Sequence, residues 1–135
     1  MFQKHCLSLA DAKKIAAAAE EEAVKNGWKV VIAIVDDGAH LLYLQRLDGT
    51  QVASSLIAVG KAETAAKFKR PSKVMEDAVA NGRTAMLSMP GLTALEGAVP
   101  LIYKGDVVGA IGVSGVQSSQ DAQVAMAGAK VLEGL

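Results

Sequence analysis

The chain has 135 residues, and its 14 Lys plus Arg are balanced by 14 Asp plus Glu, so no net field draws it to nucleic acid. Its one cysteine, Cys6, excludes an internal disulfide, and its longest apolar run, Val30 to Val35, falls far short of the roughly 20 residues that cross a bilayer. Apolar residues make up 51%, charged residues only 21%, and the mean hydropathy is +0.28, more apolar surface than a small monomer can hide. These features predict one domain over residues 1–135, assembled as a homo-oligomer. With no charged, apolar leader at the start, the expected location is cytoplasmic.

Ser8 followed three residues later by Asp11 resembles a capping box and predicts a first helix running to about Lys25. Leu9, Ala12, Ile15, Ala16, Ala19 and Ala23 share one face of it, and Asn26-Gly27 ends it. Lys29 to Val35 is apolar and β-branched, Asp36-Asp37-Gly38 is a turn, and His40 to Arg46 is strand-like again, so a β-hairpin is expected with Asp-Gly supplying the positive φ. After Asp48-Gly49-Thr50, a helix from about Val52 to Phe68 is predicted to bury Val52, Leu56, Val59, Ala62 and Ala66.

Pro71 breaks that helix, and Ser72 reads as the cap of a third, from Lys73 to about Leu87, which stops at Met89-Pro90-Gly91. Strands follow over Val99 to Tyr103 and Val107 to Val113, joined across Lys104-Gly105-Asp106, with a shorter extended piece near Leu92 to Leu95. A last helix covers Ser119 to Leu132. This order fits an α+β fold, one antiparallel sheet with helices packed on it. A dinucleotide fold is disfavoured, because no Gly-rich fingerprint follows the first strand.

The junction Val107 to Ser119 is the most informative segment: a glycine-dotted strand breaks at Ser114-Gly115 and runs into a helix N-terminus, where unpaired N–H groups can meet an anion. Gly109, Gly112 and Gly115 lack nucleotide-motif spacing, and a close approach of strand and helix explains them equally well. Ser118 with Asp121 reads as an N-cap pair. Arg46, Asp48 and Lys61 would form a carboxylate-binding pocket if the second helix folds back over the strand; an ordinary ion pair is the alternative.

His5 and His40 are the only imidazoles, too few for a closed zinc site, whereas haem iron needs only one or two axial donors. His40 follows a turn, where it is a candidate donor or a solvated turn residue, and His5 belongs to a terminus expected to be flexible. No G-x-S-x-G elbow is present. Lys67, Lys69, Arg70 and Lys73 read as a solvated helix end, and the methionines as core fillers.

Several segments together resemble the GlcG/HbpS family, a haem-binding or haem-degrading-domain group that also forms the C-terminal part of some cobalamin adenosyltransferases of propanediol utilisation. They are Leu7-Ser8-Leu9-Ala10, Ile34 to Leu42, Gln45 to Gly49, Lys61 to Ala66, Gly97 to Leu101 and Val108 to Gly115, in the family order. The resemblance implies a profilin-like antiparallel sheet of about five strands flanked by helices, dimers built into larger oligomers, and in some members a haem or related tetrapyrrole. Ala98 replaces the second of two glycines common in the family, and the first helix carries no His.

The expected function is therefore an oligomeric small-molecule binding protein whose ligand is haem or a corrinoid-like ring. His40 is the candidate iron ligand, Arg46 and Lys61 the anion contacts, and Asp36, Asp48, Ser114 and Gly115 further ligand-binding positions. The alternative is an enzyme or accessory of a catabolic pathway that uses Asp36, Arg46, Asp48, Lys61 and Ser114 on a small organic acid. A third reading is a purely structural assembly subunit.

Overall fold

The computed structural model describes residues 1–135. Helix α1 (Leu9–Lys25) begins where the Ser8 hydroxyl accepts from the Asp11 N–H at 3.1 Å, as its sequence predicts. Strand β1 (Val31–Asp36) and strand β2 (Leu41–Arg46) form the hairpin, followed by α2 (Ser54–Phe68) and α3 (Ser72–Ala80). A 3₁₀ turn (Thr84–Ser88) leads towards β3 (Ala98–Tyr103) and β4 (Asp106–Ser114), and α4 (Ser118–Ala129) closes the fold with a final 3₁₀ turn. None of the helices is long and apolar enough to cross a membrane.

The sheet has the order β2-β1-β4-β3, antiparallel throughout, which places β1 and β4 at the centre and leaves β2 and β3 as edges. Side chains alternate across it. On one face Val30, Ile32, Ile34, Leu101, Ile111 and Val113 meet α1 and α4. On the other, Val31, Ala33, Val35, Ala98 and Ala110 meet Ala58, Ala62, Ala65 and Ala66 of α2.

The second face is built for close approach. A Cβ on Gly112 would lie 2.2 Å from the Ala58 carbonyl oxygen, so only glycine lets the α2 backbone sit this near to β4. The same closeness corrects the expected face of α2. Leu56, and Val52 just before the helix, point to solvent and Val59 is only partly buried, whereas Ala62 and Ala66 are buried as expected, together with Ser54, Ala58, Lys61 and Ala65.

Other differences have local causes. The sheet has four strands rather than about five, because the Leu92–Leu95 segment is tied to α2 instead of to a strand: the Thr93 N–H donates to the Thr64 hydroxyl at 2.8 Å. Helix α3 stops at Ala80, where Asn81 leads into Gly82 at φ 102°. Ser72 does not cap that helix; its hydroxyl accepts from the Ala98 N–H at 3.0 Å and faces the Ala98 carbonyl at 3.4 Å. In the first hairpin the positive φ falls on Ala39 (66°), not on glycine, and the Asp36 carboxylate holds the turn by accepting from the Gly38 and His40 N–H groups, each at 2.9 Å. Leu9 is half-exposed rather than buried.

Candidate functional site

Lys61 lies mid-helix on the alanine-lined face of α2, buried from solvent. Its side chain is 3% exposed, and its ammonium donates to the Val113 carbonyl at 3.0 Å and to Asp121 Oδ2 at 3.1 Å. Asp121 belongs to α4 on the opposite face of the sheet, so the pair ties the two helical layers together. The crossing passes the start of β3, where Gly97 (φ 139°) leaves room: a Cβ there would sit 2.7 Å from the Lys61 nitrogen.

Asp121 Oδ1 also accepts from the Val116 N–H at 3.1 Å. Burial pushes the Asp121 carboxyl above the ordinary aspartate range, against the pull of the Lys61 charge and these hydrogen bonds. The expected N-cap role of Asp121 is thus replaced by a buried ion pair. Lys61, expected to hold a ligand anion beside Arg46, is engaged inside the protein.

Ser114 is buried, its hydroxyl 3.2 Å from that of Ser54, which in turn accepts from the Gln51 side chain at 3.0 Å. Gly115 (φ 150°) packs directly on the Lys29 carbonyl, a structural reason for a glycine there. Arg46 is cross-strand from Val31, and Val31 from Ser114, so Arg46, Ser114 and Gly115 lie at one end of the sheet, with the exposed Asp48 just beyond Arg46.

Asp36 and His40 lie at the other end. Val31 and Asp36 bound β1, so roughly 17 Å of strand separates the two groups. A single copy therefore does not gather Asp36, His40, Arg46, Asp48, Lys61 and Ser114 into one pocket.

At the hairpin end, His40 is 83% exposed and its Nδ1 lies 3.5 Å from Asp36 Oδ1. His5 is placed rather than loose: its ring meets Tyr103 edge-on at 4.9 Å and its Nδ1 is 3.8 Å from Asp106. Lys4 pairs with Asp37 at 2.6 Å, and this hydrogen bond holds the Asp37 carboxyl below the usual aspartate range. Beside them a cavity of about 290 Å³ is lined by His5, the exposed Cys6, Tyr103 and Leu132. No three His, Cys, Asp or Glu side chains converge as a metal site.

Sequence reasoning missed the Asp121 partner of Lys61. The signal was present: a lysine flanked by the inward positions Ala58, Ala62 and Ala65 must find a buried acceptor, and Asp121 sits in the first turn of a helix packed nearby.

The fold and these placements define a small antiparallel-sheet domain with polar groups divided between its two ends. Residues 7–130 match the family model described as haem degrading protein HbpS-like, and the chain belongs to that family. It is 50% identical over 114 residues to protein GlcG of Escherichia coli K12, spanning 84% of this chain and 85% of that protein. The crystal structure of a double mutant of Streptomyces reticuli HbpS superposes with a TM-score of 0.89 at 37% identity, covering 98% of this chain and 90% of the other. A PduOC:heme complex superposes with a TM-score of 0.82 at 27% identity, covering 93% and 94%.

Proposed function

We propose that the protein binds haem or a related tetrapyrrole as a homo-oligomer, with His40 as the iron ligand. The observation that carries this is the pairing of an exposed imidazole with a carboxylate on one side: Asp36 faces His40 Nδ1, which leaves Nε2 open to solvent. Metal-bound histidines are commonly oriented in this way by an acceptor on the other ring nitrogen. Haem, when bound, would supply an iron that the neutral His40 imidazole could hold.

The likeness to the haem complex supports the reading, and so does the position of His40 at the surface, where a flat ring can lie beside the half-exposed Leu41. The organic-acid alternative is weaker, because the side chains it needs stand at opposite ends of the sheet. Soret absorbance on titration with haemin tests the proposal. A saturable shift is expected, retained in His5→Ala and abolished in His40→Ala. Asp36→Asn keeps the turn acceptor and is expected to weaken binding by about 10-fold to 100-fold, the usual cost of losing a supporting carboxylate. An absence of saturable binding to the unmodified protein, or full binding by His40→Ala, overturns it.

A further inference from the structure

A groove of about 470 Å³ runs along the β3 edge, between the end of α4 and the link from α2 to α3, and its size is that of a small-molecule pocket. Ile102 of β3 and Met126 of α4 supply its apolar part, and they are 54% and 48% exposed. Lys69, Arg70 and Lys130 rim it against a single carboxylate, Glu133. Lys130 follows Met126 by one helical turn, so the cation and the apolar side chain share a face.

The structure divides the basic cluster around Pro71. Lys67 and Lys73 are neutralised by Glu63 at 3.5 Å and Asp77 at 3.0 Å, whereas Lys69, Arg70 and Lys130 pair with no carboxylate. Arg70 Nε donates to the Phe68 carbonyl at 3.1 Å, which fixes the guanidinium and leaves its outer nitrogens for a ligand. Lys69 ends α2 at φ 55°, a conformation that favours glycine, so the backbone gives no reason for a lysine there. Lys69 also borders a second cavity lined by Asp37 and Asp106, which leaves Arg70 and Lys130 as the cations committed to the groove. An added strand is a poor occupant: the Ser72 hydroxyl takes the Ala98 main-chain groups, and Pro100 has no N–H to give.

We propose that this groove binds a free, single-chain amphipathic anion, its phosphate or carboxylate head held by Arg70 and Lys130 and its apolar body laid over Ile102 and Met126. Arginine offers such a head a two-pronged contact and lysine a point charge. The groove flanks β3 while His40 precedes β2 at the opposite edge, three strand spacings of about 4.8 Å away, so the site stands apart from any tetrapyrrole bound at His40.

Calorimetric titration of the full chain with monomeric octyl phosphate and octanoate tests it. Saturable binding of one molecule per chain is expected, weakening as salt is added. Arg70→Ala and Lys130→Glu are each expected to weaken it by about 10-fold or more, the usual cost of a lost hydrogen bond to a charged group. Met126→Gln is expected to weaken octyl phosphate but not inorganic phosphate. His40→Ala is expected to leave octyl phosphate binding intact, and Arg70→Ala to leave the haemin titration intact, so this site and the tetrapyrrole reading fail separately. The doubly substituted Lys13→Ala, Lys14→Ala chain, altered on the outer face of α1, controls for diffuse attraction, and urea unfolding confirms that each variant is folded. No saturable binding of either probe, including a chain that pellets only with phosphatidylglycerol vesicles, overturns the inference. So does equal binding of octyltrimethylammonium, or a loss in the α1 control as large as that in Arg70→Ala.

Discussion

The two faces of the sheet solve the packing problem in opposite ways. Towards α1 and α4 the side chains are large and branched, Ile15, Ile32, Ile34, Ile111, Val113 and Val124, so stability comes from apolar area removed from water. Towards α2 they are mostly alanines and valines, with Gly112, so the helix and sheet backbones approach closely and stability depends on fit. The large face is expected to tolerate trimming by a methyl group; the small face is expected to reject the addition of one. Lys61 and Asp121 join the two, and a helix lined with small residues is what lets a long lysine run beneath it to the sheet.

The sharpest way to break this arrangement is at that tie. Asp121→Ala leaves a buried ammonium without its counter-charge and is expected to cost about 3–5 kcal/mol in urea unfolding, whereas the apolar pair Lys61→Met with Asp121→Leu is expected to recover most of it. On the large face, Ile34→Ala is expected to cost about 2–5 kcal/mol through the cavity it opens. On the small face, Gly112→Ala is expected to cost about 3 kcal/mol by forcing α2 off the sheet, although it only adds a methyl. The neighbouring Ile111→Val, which removes one from the large face, is expected to cost about 1 kcal/mol. A Gly112→Ala loss no greater than that of Ile111→Val would erase the distinction between the faces.

Acid titration gives the smallest and most directional effect. The Asp121 carboxyl is held above its ordinary value of 3.8 by burial, so the folded state keeps that proton to higher pH than the unfolded state does. Its contribution to stability is greatest below 3.8 and declines as pH rises through the raised value. Asp37 runs the other way. Lys4 lowers its carboxyl below 3.8, so its contribution is present above that value and is lost as pH falls through the lowered one. Thermal melts across pH 3–7 are expected to show a small deficit for Asp37→Asn relative to wild type near neutrality that closes in acid.

Much of the architecture was legible because it rests on local rules. Ser8, the Asp36 to Ala39 turn and Lys104-Gly105 mark their boundaries with side-chain acceptors or positive φ, and the β-branched run before Asp36 reads as a strand, which the structure buries on both faces. The face of α2 was only half legible, since Leu56 on the helix and Val52 just before it are strongly apolar while the space against Gly112 admits only small residues. Shape overrode hydropathy there. The candidate ligand residues were read as members of a family pattern, but their distribution over two ends depends on strand register, which no spacing along the chain reveals.

The hydroxyl of Ser72 and the ring of Pro100 limit how far such a sheet can grow. A subunit with two reactive margins would add neighbours indefinitely and yield filaments; a subunit with one behaves like a monofunctional reagent, whose coupling product has nothing left to couple. At the β3 margin a further strand would find the Ala98 main-chain groups taken by Ser72 and no N–H at Pro100.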